Sequence, residues 1–206
     1  MMTSHAGSPH DQSDVLLLAR MRSGDTAALD LLLEQYWAPL VTYSGRLLNS
    51  HDMAEDVVQE AFIRLWEHRE RWSLEGSVRA LLYKITRNVA LDERKRLLRR
   101  QARVAAGRRE AAATVATPAD HLEGAELRRA VEAAIAALPP RRREVFILAR
   151  YDGLPYKQIA EVMEISPQTV ANQFSRALDD LRRSLASFVQ LPGEEGASPR
   201  RSNPLP

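Results

Sequence analysis

The sequence predicts an all-α protein made of two small helical domains joined by a flexible linker, and three observations carry that prediction. Apolar residues recur at intervals of three and four along most of the chain, the spacing of one face of an α-helix. Alternating runs are few and β-branched clusters rare, so no strand is needed. Between two periodic blocks, "AAGRREAAATVATPAD" gives up large apolar residues for alanine, threonine and a proline, a composition suited to a linker.

With 206 residues, 45% of them hydrophobic and 27% charged, the chain is long enough to bury two small cores. The expected order is a disordered tail over 1–13, a first domain over 14–104, the linker over 105–124, a second domain over 125–190 and a disordered tail over 191–206. Breaks at Gly24 in "RSGD", at "NSHD" (Asn49 to Asp52) and at "RWSLEGS" (Arg71 to Ser77) divide the first block into about four helices. In the second block, Leu127, Val131, Ile135 and Leu138 trace one face of a helix stopped by Pro139 and Pro140. "RRREVFILARYDG" supplies another, ending at Gly153.

Composition removes several function classes. There is no cysteine, and the five histidines are scattered or in the tail, so disulfides and thiolate metal sites are out. No glycine-rich phosphate loop, metal-ligand spacing or nucleophile and base pairing stands out. The expectation is therefore a protein that is not an enzyme, with no catalytic residues, no metal and no cofactor. No apolar run reaches the length of a membrane span, and the start lacks the marks of a signal peptide, so the expected location is cytoplasmic. The formal net charge is only +2, but "RKRLLRRQARVAAGRR" holds no acidic residue, which points to an acidic partner for that stretch.

The most informative local stretch is "ISPQTVANQFSR". Ser166 can cap a helix, Pro167 fits its first position, where no N–H is required, and Ile165 can staple onto Val170. Val170, Phe174, Leu178 and Leu181 form the buried stripe, which turns Gln168, Thr169, Asn172, Gln173, Ser175 and Arg176 outward. The upstream "YKQIAEVME" makes a short helix with Ile159, Ala160 and Met163 inward, so the pair reads as a helix-turn-helix. Amide side chains on the second helix suit adenine edges, and Arg176 suits guanine or phosphate. Tyr156, Lys157, Arg141 and Arg142 are candidate phosphate anchors. A solvated polar helix in an ordinary bundle is the plainer alternative, and cap, staple, short support helix and neutral face together favour DNA.

In the first block, "DMAEDVVQEAFIRLWEHRERW" puts Val57, Val58, Ala61, Phe62, Leu65 and Trp66 on a core side. The other side gathers Asp56, Gln59, Glu60, Arg64 and Glu67 around Ile63, an arrangement suited to a basic partner helix. A solvated face with one stray isoleucine fits the periodicity equally well. The following helix buries Val78, Leu82, Ile85 and Val89 and turns Arg79, Tyr83, Arg87 and Arg94 outward. Arginines can neutralise phosphate, and Tyr83 and Trp72 can stack on unpaired bases. Trp72 serves equally well as a lid on the bundle.

"AEDVVQEAFIRLW", "LLYKITRNVALDERKR" and "LPPRRREVFILARYDGLPYKQIAEVMEISPQTVANQFSRALDDLR", in that order and at that separation, resemble the sigma-70 family of bacterial transcription initiation factors. Possession of only the second and fourth conserved regions resembles the extracytoplasmic function (ECF) group. The resemblance implies a region 2 bundle over 14–104 and a region 4 helix-turn-helix domain over 125–190. It implies bacterial core RNA polymerase as partner, through the largest-subunit clamp helices and the flap region, together with promoter DNA and, often in this group, an anti-sigma factor. Asp56, Gln59, Glu60, Ile63, Arg64 and Glu67 would face the clamp helices. Trp72, Ser73, Arg79, Tyr83, Arg87, Asn88 and Arg94 would read and melt the minus-ten element. Tyr156, Lys157, Ser166, Gln168, Thr169, Asn172, Gln173 and Arg176 would contact the minus-thirty-five element. Val78 and Leu81 depart from the family's usual aromatics, and Asn172 and Gln173 from its usual basic residues. Two rival readings are a free-standing dimeric helix-turn-helix regulator and a sigma-mimicking interaction protein.

Overall fold

The computed structural model describes residues 9–48, 50–73, 76–105 and 125–186, and every regular element among them is helical. The tail over 191–206 and nearly all of the expected linker lie outside the described residues. The first block contains α1 (Pro9–Arg22), α2 (Thr26–Leu48), α3 (His51–Glu67), a 3-10 turn (Arg69–Arg71) and α4 (Val78–Ala105). The second contains α5 (Ala125–Ala137), α6 (Pro140–Arg150), α7 (Tyr156–Met163) and α8 (Pro167–Ser184).

The three expected breaks in the first block fall where the helices end. Gly24 closes α1 with a φ of 92°, a left-handed value that suits glycine, and its N–H donates to the Met21 carbonyl. The first helix begins at Pro9, ahead of the expected start near Asp14, with the proline at a position where a missing N–H costs nothing. Asp14 is buried and accepts hydrogen bonds from the Tyr36 hydroxyl and, at 3.1 Å, from Gln35, which fastens α1 to α2. α2 packs on α3 and α3 on α4, around Leu32, Leu40, Val58, Leu65 and Leu82, all without exposed surface.

In the second block, α6 packs on α8 and α7 joins the two, as a helix-turn-helix requires. Pro140 does more than stop α5: it is the first residue of α6. The expected apolar face of α5 holds at Leu138, but Leu127 is 48% exposed, and Ala134 takes its place in the core. The reason is coverage: α5 rests mainly on α8, near Ala177 and Leu181, and its first turn has little to pack against.

The two blocks do not stand apart. α7 lies along α4 and α6 touches α2, so Val145, Ile147, Leu154, Ile159 and Val162 belong to the same apolar cluster as Leu40, Leu82 and Val89. In α6, five consecutive residues from Glu144 to Leu148 are buried, because this helix is covered by its own block on one side and by the first block on the other.

Candidate protein and nucleic-acid interfaces

The outward side of α3 is built as its periodicity predicts. Asp56, Gln59 and Glu67 are exposed, and Ile63 keeps 44% of its surface in solvent at the centre of the patch. Arg64 folds back on Glu60, Nε to Oε1 at 2.7 Å, one turn apart, so it is held within the patch. The patch continues into a groove of about 330 Å³ between α3 and α4, where Asp92 and Glu93 add two carboxylates and Arg96 a cation. Sequence reading missed Asp92 and Glu93 because they sit inside a run dominated by arginine and lysine. Only the packing of α4 on α3 brings them beside Asp56 and Glu60. The result is an acidic surface with an exposed apolar centre, which fits a basic helix carrying an apolar residue.

The start of α8 also forms as expected. Ser166 has extended backbone and its hydroxyl accepts the Thr169 N–H at 3.1 Å, which satisfies one orphan donor of the first turn. Ile165 and Val170 share the core cluster. Gln168, Asn172, Ser175 and Arg176 are exposed, and Thr169 and Gln173 half-buried, so the neutral face is presented outward. Gln168 donates to the Asn172 carbonyl oxygen at 3.2 Å, which sets the two amides side by side. Among the candidate phosphate anchors, Lys157 and Arg141 are exposed. Tyr156 rests its ring on Phe174 at 5.8 Å while remaining 39% exposed, and Arg142 is paired with Asp180 at 2.6 Å. That pairing helps to hold the Asp180 carboxyl below its ordinary range.

The face of α4 departs from expectation. Tyr83 is fully buried, not outward: its ring packs 5.2 Å from that of Tyr43, and its hydroxyl donates to Asp152 at 3.2 Å. Burial, with the Asp152 charge beside it, pushes the Tyr83 phenol well above its ordinary value. Arg79 donates to the Asp152 carbonyl. Arg87 is paired with Glu144, Nε to Oε1 at 2.5 Å and Nη2 to Oε2 at 3.3 Å. The physical reason is that α6, α7 and the turn between them lie over this side of α4, a contact that helical periodicity within α4 cannot disclose.

Of the other residues assigned to that surface, Ser73 and Asn88 are exposed and Arg94 half-buried. Trp72 is half-buried with its indole N–H donating to the Leu65 carbonyl at 3.0 Å, so it closes the bundle. Trp72, Ser73, Asn88 and Lys84 nevertheless line one groove of about 410 Å³, bounded on its far side by Glu161 of α7. Among the described residues no helix is long and apolar enough to cross a membrane.

Comparison with known proteins gives a consistent pattern. Residues 32–104 match the family model described as Sigma-70 region 2, and residues 128–181 match that described as Sigma-70, region 4. The ECF RNA polymerase sigma-E factor of Escherichia coli is 29% identical over 195 residues, spanning 86% of this chain and 97% of the relative. The RNA polymerase sigma-H factor of Pseudomonas aeruginosa is also 29% identical, over 87% of this chain and 97% of its own length. Two solved structures share the fold. CnrH, in complex with the cytosolic domain of CnrY, has a TM-score of 0.64 at 24% identity, covering 84% of this chain and 97% of its own. The sigma factor RpoE of Bartonella quintana, in complex with the anti-sigma factor NepR, has a TM-score of 0.59 at 23% identity, covering 79% of this chain and 98% of its own.

Proposed function

The chain belongs to the sigma-70 family, as an ECF sigma factor with regions 2 and 4 that directs transcription initiation by RNA polymerase and has no catalytic activity of its own, and from that premise we propose how its residues divide the work. The α3 patch of Asp56, Gln59, Glu60, Ile63, Arg64 and Glu67 docks on the clamp helices of the polymerase largest subunit. Asp92 and Glu93 extend it. Region 4 meets the flap region while the exposed start of α8, from Ser166 to Arg176, enters the major groove at the minus-thirty-five element with Tyr156 and Lys157 at its edge. Ser73, Asn88 and Arg94 serve the minus-ten element with Trp72 beside them, and Arg79, Tyr83 and Arg87 join them once α6 and α7 leave that side of α4; stacking of an extruded base there contributes about 1 to 3 kcal/mol toward the few kcal/mol of unstacking. The protein acts in the cytoplasm, where its polymerase works. An anti-sigma protein is proposed as a further partner, because two proteins of this fold were each solved with a protein bound, CnrY in one and the anti-sigma factor NepR in the other.

The observation that carries this division is the presence, on one chain, of an acidic surface centred on an exposed isoleucine and a separate capped helix with a neutral hydrogen-bonding face. The test is binding of the fluorescently labelled chain to core polymerase. An Ile63→Ala change is expected to weaken binding about tenfold, the size of a 1.4 kcal/mol anchor. Asp56→Ala with Glu60→Ala should weaken it further. Unchanged polymerase binding in both variants, with tight binding of the chain alone to a palindromic duplex, would favour the free-standing regulator.

A further inference from the structure

We propose that Gln168 sets the base preference of the minus-thirty-five contact through its neighbour: it holds the Asn172 amide in one orientation, so that Asn172 selects an adenine at one position of the duplex. The inference rests on the assignment of the start of α8 to that element.

Gln168 and Asn172 are exposed and stand one turn apart on α8, and the Gln168 amide nitrogen donates to Asn172 Oδ1 at 3.2 Å. The contact lays the glutamine along the helix surface, whereas a side chain that reads a base points off the helix into the groove. Asn172 is therefore the reader and Gln168 a positioning residue. Thr169, between them, is already engaged: its N–H donates to Ser166 Oγ at 3.1 Å, and its hydroxyl lies 2.8 Å from the same oxygen. Ala171 and Ser175 beside Asn172 are small, so a side chain as short as asparagine can still reach a base edge.

Orientation matters because an amide has two unlike ends. The terminal torsion of a free asparagine is broad and roughly two-fold, so its oxygen and nitrogen exchange places readily. With Gln168 donating, the Asn172 oxygen is held toward the N-terminal end of α8 and the nitrogen away from it. The helix dipole favours the same sense, with the oxygen of an amide toward the positive end. Asn172 Oδ1 keeps a second lone pair. It can accept from adenine N6 while Nδ2 donates to N7, the bidentate pattern that distinguishes adenine in the major groove. Were the asparagine turned over, its NH2 would face the NH2 of Gln168, donor against donor.

The test uses the full chain assembled with core polymerase. The probe is a pool of promoter fragments taken from the start sites mapped with the wild-type chain, with the minus-thirty-five segment fully randomised; bound fragments are sequenced. The readout is preference at each position and not affinity, so a charge added beside the DNA does not obscure it. The wild type should enrich adenine about tenfold at one position, and Asn172→Ala should remove that preference. Gln168→Ala should lower it to about threefold at the same position and leave the others alone. Gln168→Lys, which keeps a donor, should restore most of it. Gln168→Glu, which offers only acceptors and turns the Asn172 amide over, should abolish it. In an Asn172→Ala background, Gln168→Ala should change nothing further, the mark of a residue that acts through another. Both positions are exposed, so every variant should keep the wild-type thermal midpoint. A change at a different position in Gln168→Ala, or none at all, overturns the positioning role, and enrichment of another base at the Asn172 position overturns the adenine reading. Absence of any enrichment by the wild type overturns instead the assignment of α8 to the minus-thirty-five element.

Discussion

Arg87 of α4 and Glu144 of α6 form a two-pronged ion pair across 57 residues of sequence, and the Tyr43 hydroxyl completes the carboxylate's shell. Their side chains retain only 16% and 5% of their exposure, so the pair is largely shielded from water. Removing one partner from such a pair leaves the other buried and uncompensated, at a cost of about 3 to 5 kcal/mol. Arg87→Ala is therefore expected to lower the free energy of urea unfolding by that amount. Arg87→Lys, which keeps the charge but loses the fork, should fall between. A residue whose sole role was to bind DNA would leave stability unchanged.

The contact of α6 and α7 with α4 also predicts a pH dependence with a definite sign. Burial holds the Asp152 carboxyl up at about 6, against the Tyr83 hydroxyl that donates to it and the nearby Arg46 and Arg79. The folded chain thus takes up a proton more readily than the unfolded chain, in which Asp152 is hydrated, and stability rises as pH falls through about 6. Glu164 works in the opposite sense: Lys84 lowers its pKa from the ordinary 4.5, so its contribution is present above that value and is lost below it. The urea-unfolding midpoint should rise between neutral pH and 5, then decline in stronger acid. Asp152→Asn should abolish the first change and leave the second.

Ser166 fixes where α8 begins, and its hydroxyl is the side-chain acceptor for the Thr169 N–H. Ser166→Ala should cost about 1 kcal/mol of stability, measured by thermal unfolding, whereas Ser166→Asp should retain most of it.

Asn172 is exposed and aligned by Gln168, ready to meet a base edge. A bidentate amide contact to adenine is worth about 1 to 3 kcal/mol of discrimination. Asn172→Ala in the holoenzyme should relax preference at one position of the minus-thirty-five element, measured by binding to a library of duplexes, with no change in polymerase affinity. Lys157→Ala should weaken all duplexes alike and lessen the salt dependence.

What could be read from the sequence was whatever a single helix or its ends determine. The start of α8 is local chemistry of Ile165, Ser166 and Pro167, and the outward face of α3 is local periodicity; both were legible without a structure. The surroundings of Tyr83 and Glu144 depend on where one block lands on the other, and nothing within either helix fixes that. One signal was available. The five residues "EVFIL" in α6 run through more than one full turn, so if all are buried the helix must be covered on more than one side. Asp92 and Glu93 were hidden differently, by the basic residues around them in sequence, two of which, Lys95 and Arg96, also pair with them in space.

The most direct measurement is transcription from genomic DNA by core polymerase with and without this chain, mapping RNA 5′ ends. The account predicts new start sites that share upstream minus-ten and minus-thirty-five elements, disappear with Asp56→Ala and Glu60→Ala, and shift in sequence preference with Asn172→Ala. An identical set of 5′ ends with and without the chain would contradict it.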